Sequence, residues 1–100
     1  MYRNNTNGGI KMKAVITVVG RDSVGIIAKV SAICAEKNAN IVDISQSVMK
    51  EYFAMIMVAD IDMLSIPFTE FVDLLAQFGK ERGLDCRVMH EDVFNSMHRI

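Results

Sequence analysis

Apolar residues recur along this chain in seven blocks whose spacing switches between that of a strand and that of a helix, and this order limits the fold more than any other feature. "KAVITVV" (Lys13–Val19) is β-branched and stops at Gly20, which predicts a strand covered on at least one face. From Ile26 to Lys37 the apolar positions are Ile26, Val30, Ile33 and Cys34, with Ile27 beside them. That spacing predicts an amphipathic helix. Asn38 to Asn40 ends it, because Asn tolerates the left-handed conformation of a C-cap. In "IVDISQSV" (Ile41–Val48), Val42, Ile44 and Val48 alternate with Asp43, Ser45 and Ser47, the pattern of a half-buried strand. "YFAMIMVADI" (Tyr52–Ile61) is apolar on both faces and is expected as a central strand, joined to the previous one by a hairpin at Lys50 and Glu51. Pro67 then opens a helix carrying Phe68, Phe71, Val72, Leu75 and Phe78, which fades at Gly79–Gly83. "LDCRVMHE" alternates again, and "DVFNSMHRI" (Asp92–Ile100) is expected as a short C-terminal helix packed on the domain or on a partner.

The order β-α-β-β-α-β, with right-handed crossovers, predicts an α+β ferredoxin-like sandwich. Its four-stranded antiparallel sheet carries two helices on one face, with the short C-terminal helix added. The chain has 100 residues, 51% of them hydrophobic, which suits a single domain over residues 12–100. Residues 1–11, rich in Asn and Gly, are expected as a disordered arm or an extension ahead of Met12. No apolar run reaches the roughly 18 residues that span a bilayer, and the first residues lack the apolar core of a secretory signal. No membrane partner is expected.

Eleven basic and twelve acidic residues are interspersed for a net charge of −1. Without a basic stripe, no direct nucleic-acid partner is expected. Cys34 and Cys86 stand alone in apolar contexts, as buried free thiols of a cytoplasmic protein do. His90 and His98 lie near Glu91 and Asp92 but are too few and too spread for a metal site. No cofactor is expected.

One face of the predicted sheet is left without helices, yet the first and third strands carry apolar side chains on both faces. Val15, Thr17 and Val19 oppose Ala14, Ile16 and Val18, and Phe53, Met55 and Met57 oppose Ala54, Ile56 and Val58. An apolar patch of that size marks an interface, and a two-fold homodimer is the simplest form.

The chemistry concentrates in "VVGRDSVGII", where the first strand hands over to the first helix. Helix-start amides have no intrahelical acceptor and point outward. Asp22 suits a ligand amine or a helix cap, as Ser23 suits a cap. Gly25 either admits a ligand carboxylate to those amides or lets strand and helix pack closely. Arg21 either pairs with an anion or is a solvated loop residue. Asn40 either reaches across an interface or serves the turn. Ser45 and Gln46 face either a partner or solvent.

The stretch "ITVVGRDSVGIIAKVSAICAEKNANIVDISQSV", with "EYFAMIMV" and "FNSMHRI" after it, resembles an ACT domain. It is most similar to free-standing ACT proteins of the glycine cleavage system transcriptional repressor type. The likeness rests on a strand, "G-x-D-x-x-G-I", an apolar helix and "N-I-x-x-I-S-Q", and runs from about Met12 to the C-terminus. It implies a regulatory, non-catalytic domain that binds a small ligand, typically an amino acid, where two domains meet. By the resemblance the ligand site is lined by Arg21, Asp22, Ser23, Val24, Gly25, Ile26 and Asn40. Val24 departs from relatives that have Pro there. Output then passes to an effector protein.

Two other readings compete. One is a ligand-independent protein–protein interaction module docking through the open sheet face or the C-terminal tail. The other is an enzyme, since acylphosphatases share this topology and hold phosphate with a glycine-rich loop and an arginine. Against it, Asp22 would repel phosphate, and the G-x-x-G-x-x-x-R spacing is missing.

Overall fold

The computed structural model describes residues 12–21 and 24–97. The expected arm at 1–11, Asp22, Ser23 and the last residues of the expected C-terminal helix, 98–100, lie outside the described residues. The elements are β1 (Lys13–Gly20), α1 (Ile26–Glu36), β2 (Asn40–Met49), β3 (Tyr52–Asp60), α2 (Phe68–Glu81), β4 (Asp85–His90) and α3 (Glu91–Met97). The sheet order is β2-β3-β1-β4 and every neighbouring pair is antiparallel. This is the expected ferredoxin-like sandwich, with the two apolar-on-both-faces strands at its centre.

The register fixes which side chains share a face. Ile16 lies opposite Met57 and Val88, and Val18 opposite Met55 and Cys86. These residues join Ala14, Phe53 and Ala59 in one buried cluster with Ile26, Val30 and Cys34 of α1 and Phe71 and Leu75 of α2. Both helices therefore cover the same face. Burying side chains the size of Phe53, Phe71, Met55 and Leu75 stabilises by roughly 1.5–3 kcal/mol each. The core is the expected one, down to the helical phenylalanine stripe.

Both helices stop in the same way. Asn38 takes φ 62 after α1, and Gly83 takes φ 70 after α2. The Ala39 amide then donates to the Cys34 carbonyl at 2.8 Å, and the Leu84 amide to the Gly79 carbonyl at 2.8 Å. These are Schellman ends, with the left-handed residue releasing the chain toward the next strand. Gly79 lies inside α2, where a Cβ would sit 2.6 Å from Cys86 Cβ and 2.9 Å from the Leu84 carbonyl oxygen. Only glycine lets α2 approach β4 so closely.

Two expectations need correction. β2 is not half-buried: Ile44 and Val48 lie opposite Met57 and Phe53, on the helix side, yet are 40% and 65% exposed. As an edge strand, β2 lies beyond the cover of α1 and α2, and a register shift between Ile41 and Asp43 marks a bulge at Val42. The open sheet face is not uniformly bare either. Val15, on that face with Val58 and Met89, is 2% exposed, whereas Val19 at the other end of β1 is 46% exposed. α3 lies against β1 and β4, and it starts at the end of β4 where His90 pairs with Ala14. The β2–β3 turn has no glycine. Lys50 supplies the positive φ itself, at 57°.

Candidate functional site

β1 ends at Gly20, where a Cβ would meet the end of the Leu84 side chain, which would have to turn aside. Arg21 follows and turns toward the β2–β3 hairpin. Its Nη2 stands 3.7 Å from Glu51 Oε2, and its Cζ lies 5.6 Å from the Tyr52 ring centroid. Both partners of the ion pair are exposed. Val24 is exposed, and Gly25 is the N-cap of α1 with φ 73. Asp22 and Ser23, the expected caps, do not occupy the N-cap position. The helix starts later, and the cap is a residue without a side chain.

The Gly25 conformation bears on one of the two roles open to this residue from sequence. Among the described residues, a Cβ built on Gly25 would meet nothing nearer than Lys29 Cε at 3.9 Å, so no described residue requires glycine here for close packing. The left-handed φ is one reason for it, since it costs an L-residue about 1–2 kcal/mol. The Lys29 amide donates to the Gly25 carbonyl at 3.0 Å, the first turn of α1. Ile26 faces inward and belongs to the core.

Beside this junction is a cavity of about 320 Å³ lined by Val24, Ile26, Lys29, Glu81, Arg82 and Leu84. The start of α1 and the end of α2 thus form its walls. Glu81 Oε2 accepts from Gln77 Nε2 at 3.1 Å, and the Arg82 guanidinium lies 4.7 Å from the Phe78 ring centroid. Lys29 was within reach of sequence reasoning, because position i+4 from Gly25 lies over the first turn. Glu81, Arg82 and Leu84 arrive from the second half of the chain and leave no local signal.

Asn40 is not brought to this junction within one chain. It lines a second cavity of about 420 Å³ with Ala35, Asn38, Ala39 and Met63, at the other end of α1. Eleven helical residues separate the two places, roughly 16 Å at the helical rise. The thiols are no nucleophiles. Burial pushes Cys34 up to about 11 and, with Asp85 adding to it, Cys86 up to about 11, so neither supplies thiolate near neutral pH. Among the described residues no group of His, Cys, Asp and Glu is placed to hold a metal, and no helix is long and apolar enough to cross a membrane.

A family model described as the ACT domain matches residues 13–89. A UPF0237 protein of Clostridium perfringens is 51% identical over 89 residues, covering 89% of this chain and all of the relative. A UPF0237 protein of Methanocaldococcus jannaschii is 46% identical over 88 residues, 88% of this chain and 98% of that one. Among solved structures, an ACT domain protein from Streptococcus pneumoniae superposes with a TM-score of 0.73 at 41% identity, over 83% of this chain and 93% of its own. A structure described as a putative glycine cleavage system transcriptional repressor shares the fold, with a TM-score of 0.69 at 22% identity, over 82% of this chain and 47% of its own.

Proposed function

The chain belongs to the ACT domain family, a regulatory fold that typically binds small ligands, and on that premise we propose that it is a non-catalytic amino-acid sensor working as a cytoplasmic homodimer. The observation that carries this is the cavity beside Gly25. It is small, it is walled by both apolar and charged side chains, and it lies beside a helix start whose glycine needs its left-handed φ. Ligand pockets have this mixed character. Of the residues that the resemblance assigns to the ligand site, Val24 and Ile26 line this cavity and Gly25 stands between them; on this reading Arg21 serves from the rim and Asn40 is supplied by a second protomer, while Asp22 and Ser23 lie outside the described residues.

One feature supports the dimer, and a dimer would also let a second chain's Asn40 reach the loop, from which Asn40 of the same chain is separated by the length of α1. The two central strands carry mostly apolar residues on the open sheet face: Ile56, 40% exposed between Thr17 and Ser45, is flanked along the strands by Ala54, Val58 and Val19. Charged residues ring it, among them Asp43, Asp60, Asp85 and Arg87. An apolar centre with a polar rim is the anatomy of an interface. A ligand that bridges two protomers favours the arrangement that completes the site, and this change alters contacts with an effector protein.

Thermal unfolding against the twenty amino acids and common anionic metabolites tests the proposal, with Gly25→Val as control. A ligand at about 100 times its Kd stabilises by about 2.7 kcal/mol, roughly ten degrees or more for a domain of this size. A shift for related amino acids, absent in Gly25→Val, supports the sensor. No shift in a folded protein points instead to a ligand-independent interaction module. The apolar sheet face is the surface that favours that second reading.

A further inference from the structure

The sensor reading leaves the charge of the ligand open, and the walls of the cavity bear on it. Lys29 and Arg82 stand on two different helices and line one cavity of about 320 Å³. Neither has a carboxylate within ion-pairing distance among the described residues. Arg21, Lys37 and Arg87 are paired, with Glu51, Glu36 and Asp85; what sets Lys29 and Arg82 apart from the remaining cations is that they share one cavity. Among the described residues the one carboxylate on the cavity wall, Glu81, is engaged by Gln77. The described side chains that line the cavity therefore carry two cations and one anion.

Lys29 stands beside the helix start, with Cε 3.9 Å from where a Gly25 Cβ would be. The Arg82 guanidinium is braced 4.7 Å from the Phe78 ring centroid, a cation–π contact that orients it. Val24, Ile26 and Leu84 complete the wall. Apolar neighbours strengthen an ionic contact relative to open water.

We infer that the cleft between the start of α1 and the end of α2 receives the anionic group, a carboxylate or a phosphate, of a small acidic metabolite, which Lys29 and Arg82 hold. This rests on the sensor reading and narrows it, because the ligand then carries a negative charge beyond that of a neutral amino acid. A carboxylate and a phosphate demand the same two cations, so the probes must separate them. The volume, at the lower end of the range for ligand pockets, suits a small metabolite.

The test is a titration of the isotope-labelled full chain with L-glutamate, succinate, inorganic phosphate, L-alanine and L-serine, followed by amide chemical shifts. It is repeated on Lys29→Gln, Arg82→Gln and Glu81→Gln. All three side chains are at the surface, and the spectra themselves report folding. The expected result is that an acidic probe moves the amides of Ile26 to Lys29 and Leu84. Lys29→Gln and Arg82→Gln should each weaken it by roughly tenfold or more, the size of a charge-assisted hydrogen bond. Glu81→Gln should tighten it, and added salt should weaken it. Glutamate or succinate outperforming phosphate identifies a carboxylate ligand, and the reverse identifies a phosphate. If alanine or serine binds at these amides as tightly as the acidic probes, and Lys29→Gln has no effect, the inference is overturned while the sensor reading stands. If an acidic probe binds but shifts other amides, the inference is also overturned. If none of the five probes, nor any of the remaining amino acids, binds the folded chain, both fail together.

Discussion

The two halves of this molecule follow the same plan and differ at one kind of place, the junction where a strand hands over to a helix. The helix ends match: Asn38 and Gly83 play the same left-handed part, and the same pair of backbone hydrogen bonds closes each turn. The helix starts do not match. Between β3 and α2, Leu64, Ile66 and Phe68 pack onto the core, and Phe68 stacks on His90 with ring centroids 4.1 Å apart. Glu70 stands in the first turn of α2, near its positive end. Between β1 and α1 the chain has Gly25 instead. No acidic side chain stands in the first turn of α1, and a cavity lies alongside. One junction packs Leu64, Ile66 and Phe68 onto the core, while the described residues of the other leave a cavity beside the helix start. On the proposed reading, a duplicated plan uses one junction as a ligand site while the other helps hold the fold.

The strongest way to break this contrast is to empty the filled junction. Phe68→Ala removes a half-buried ring and its stack on His90. Full burial of a phenylalanine is worth about 3–5 kcal/mol on truncation to alanine, so a loss of about 2–4 kcal/mol is expected here. Urea unfolding measures it. The ligand-induced thermal shift of the variant should persist, from a lower starting temperature. A variant that keeps its stability and loses the ligand shift would make the second junction the site.

The interior should treat both halves alike, and the two cysteines sample it from each side. Cys34 is on α1 and Cys86 on β4, and both thiols are pushed up to about 11 from an ordinary 9.0. The unfolded chain ionises its thiols first, near pH 9, while the folded chain still holds the protons. Stability is therefore full below pH 9 and is lost as pH rises from 9 toward 11. Urea midpoints at pH 7.5, 9 and 10 should fall in that order, and Cys34→Ala or Cys86→Ala should flatten the decline. Alkylation at pH 8 should be slow at both thiols. Faster reaction at Cys34 would mean that the opening at the first junction extends into the core.

A smaller effect separates the reasons for Gly25. If its left-handed φ is what matters, Gly25→Ala costs about 1–2 kcal/mol and Gly25→Asn costs less, because Asn tolerates that conformation, as Asn38 does here. If space were the constraint, the larger asparagine would cost more than alanine. Denaturation of the two variants side by side decides it.

Much of this was legible in the sequence, and the misses share a cause. Periodicity gave the element order, the central strands and the phenylalanine stripe, because a side chain's face follows from spacing alone. It could not give what covers a face. The Ile44 and Val48 alternation was read as burial, but β2 is an edge strand that the helices do not reach. Val15 lies on the face without α1 and α2, and its burial follows from tertiary placement near the start of α3, which no period encodes. Asp22 and Ser23 looked like caps because their residue types suit one, yet the helix starts at Ile26, after Gly25. The candidate site was half legible for a similar reason. The loop announces itself by its glycines, whereas Glu81 and Arg82 reach the cavity only through the crossover of the second half.

The smallest expected effect on stability concerns the other cation of the open junction. Arg21 points to Glu51 and Tyr52 on the hairpin, not into the cavity that Lys29 lines. Its ion pair is exposed on both sides, so solvent and salt screen it, and such pairs contribute about 0–1 kcal/mol. Arg21→Ala should lower the unfolding midpoint by no more than that, and the difference should vanish in 0.5–1 M salt, where charges are screened within roughly 3–5 Å. Its effect on ligand binding is the more telling readout. Because Arg21 is turned toward the hairpin, it reaches a ligand only from the rim, and Arg21→Ala should weaken binding less than Lys29→Gln does. Equal losses in the two variants would move the centre of the site from the cleft between the helices toward the β2–β3 turn, and the contrast between the open and filled junctions would then rest on the loop alone.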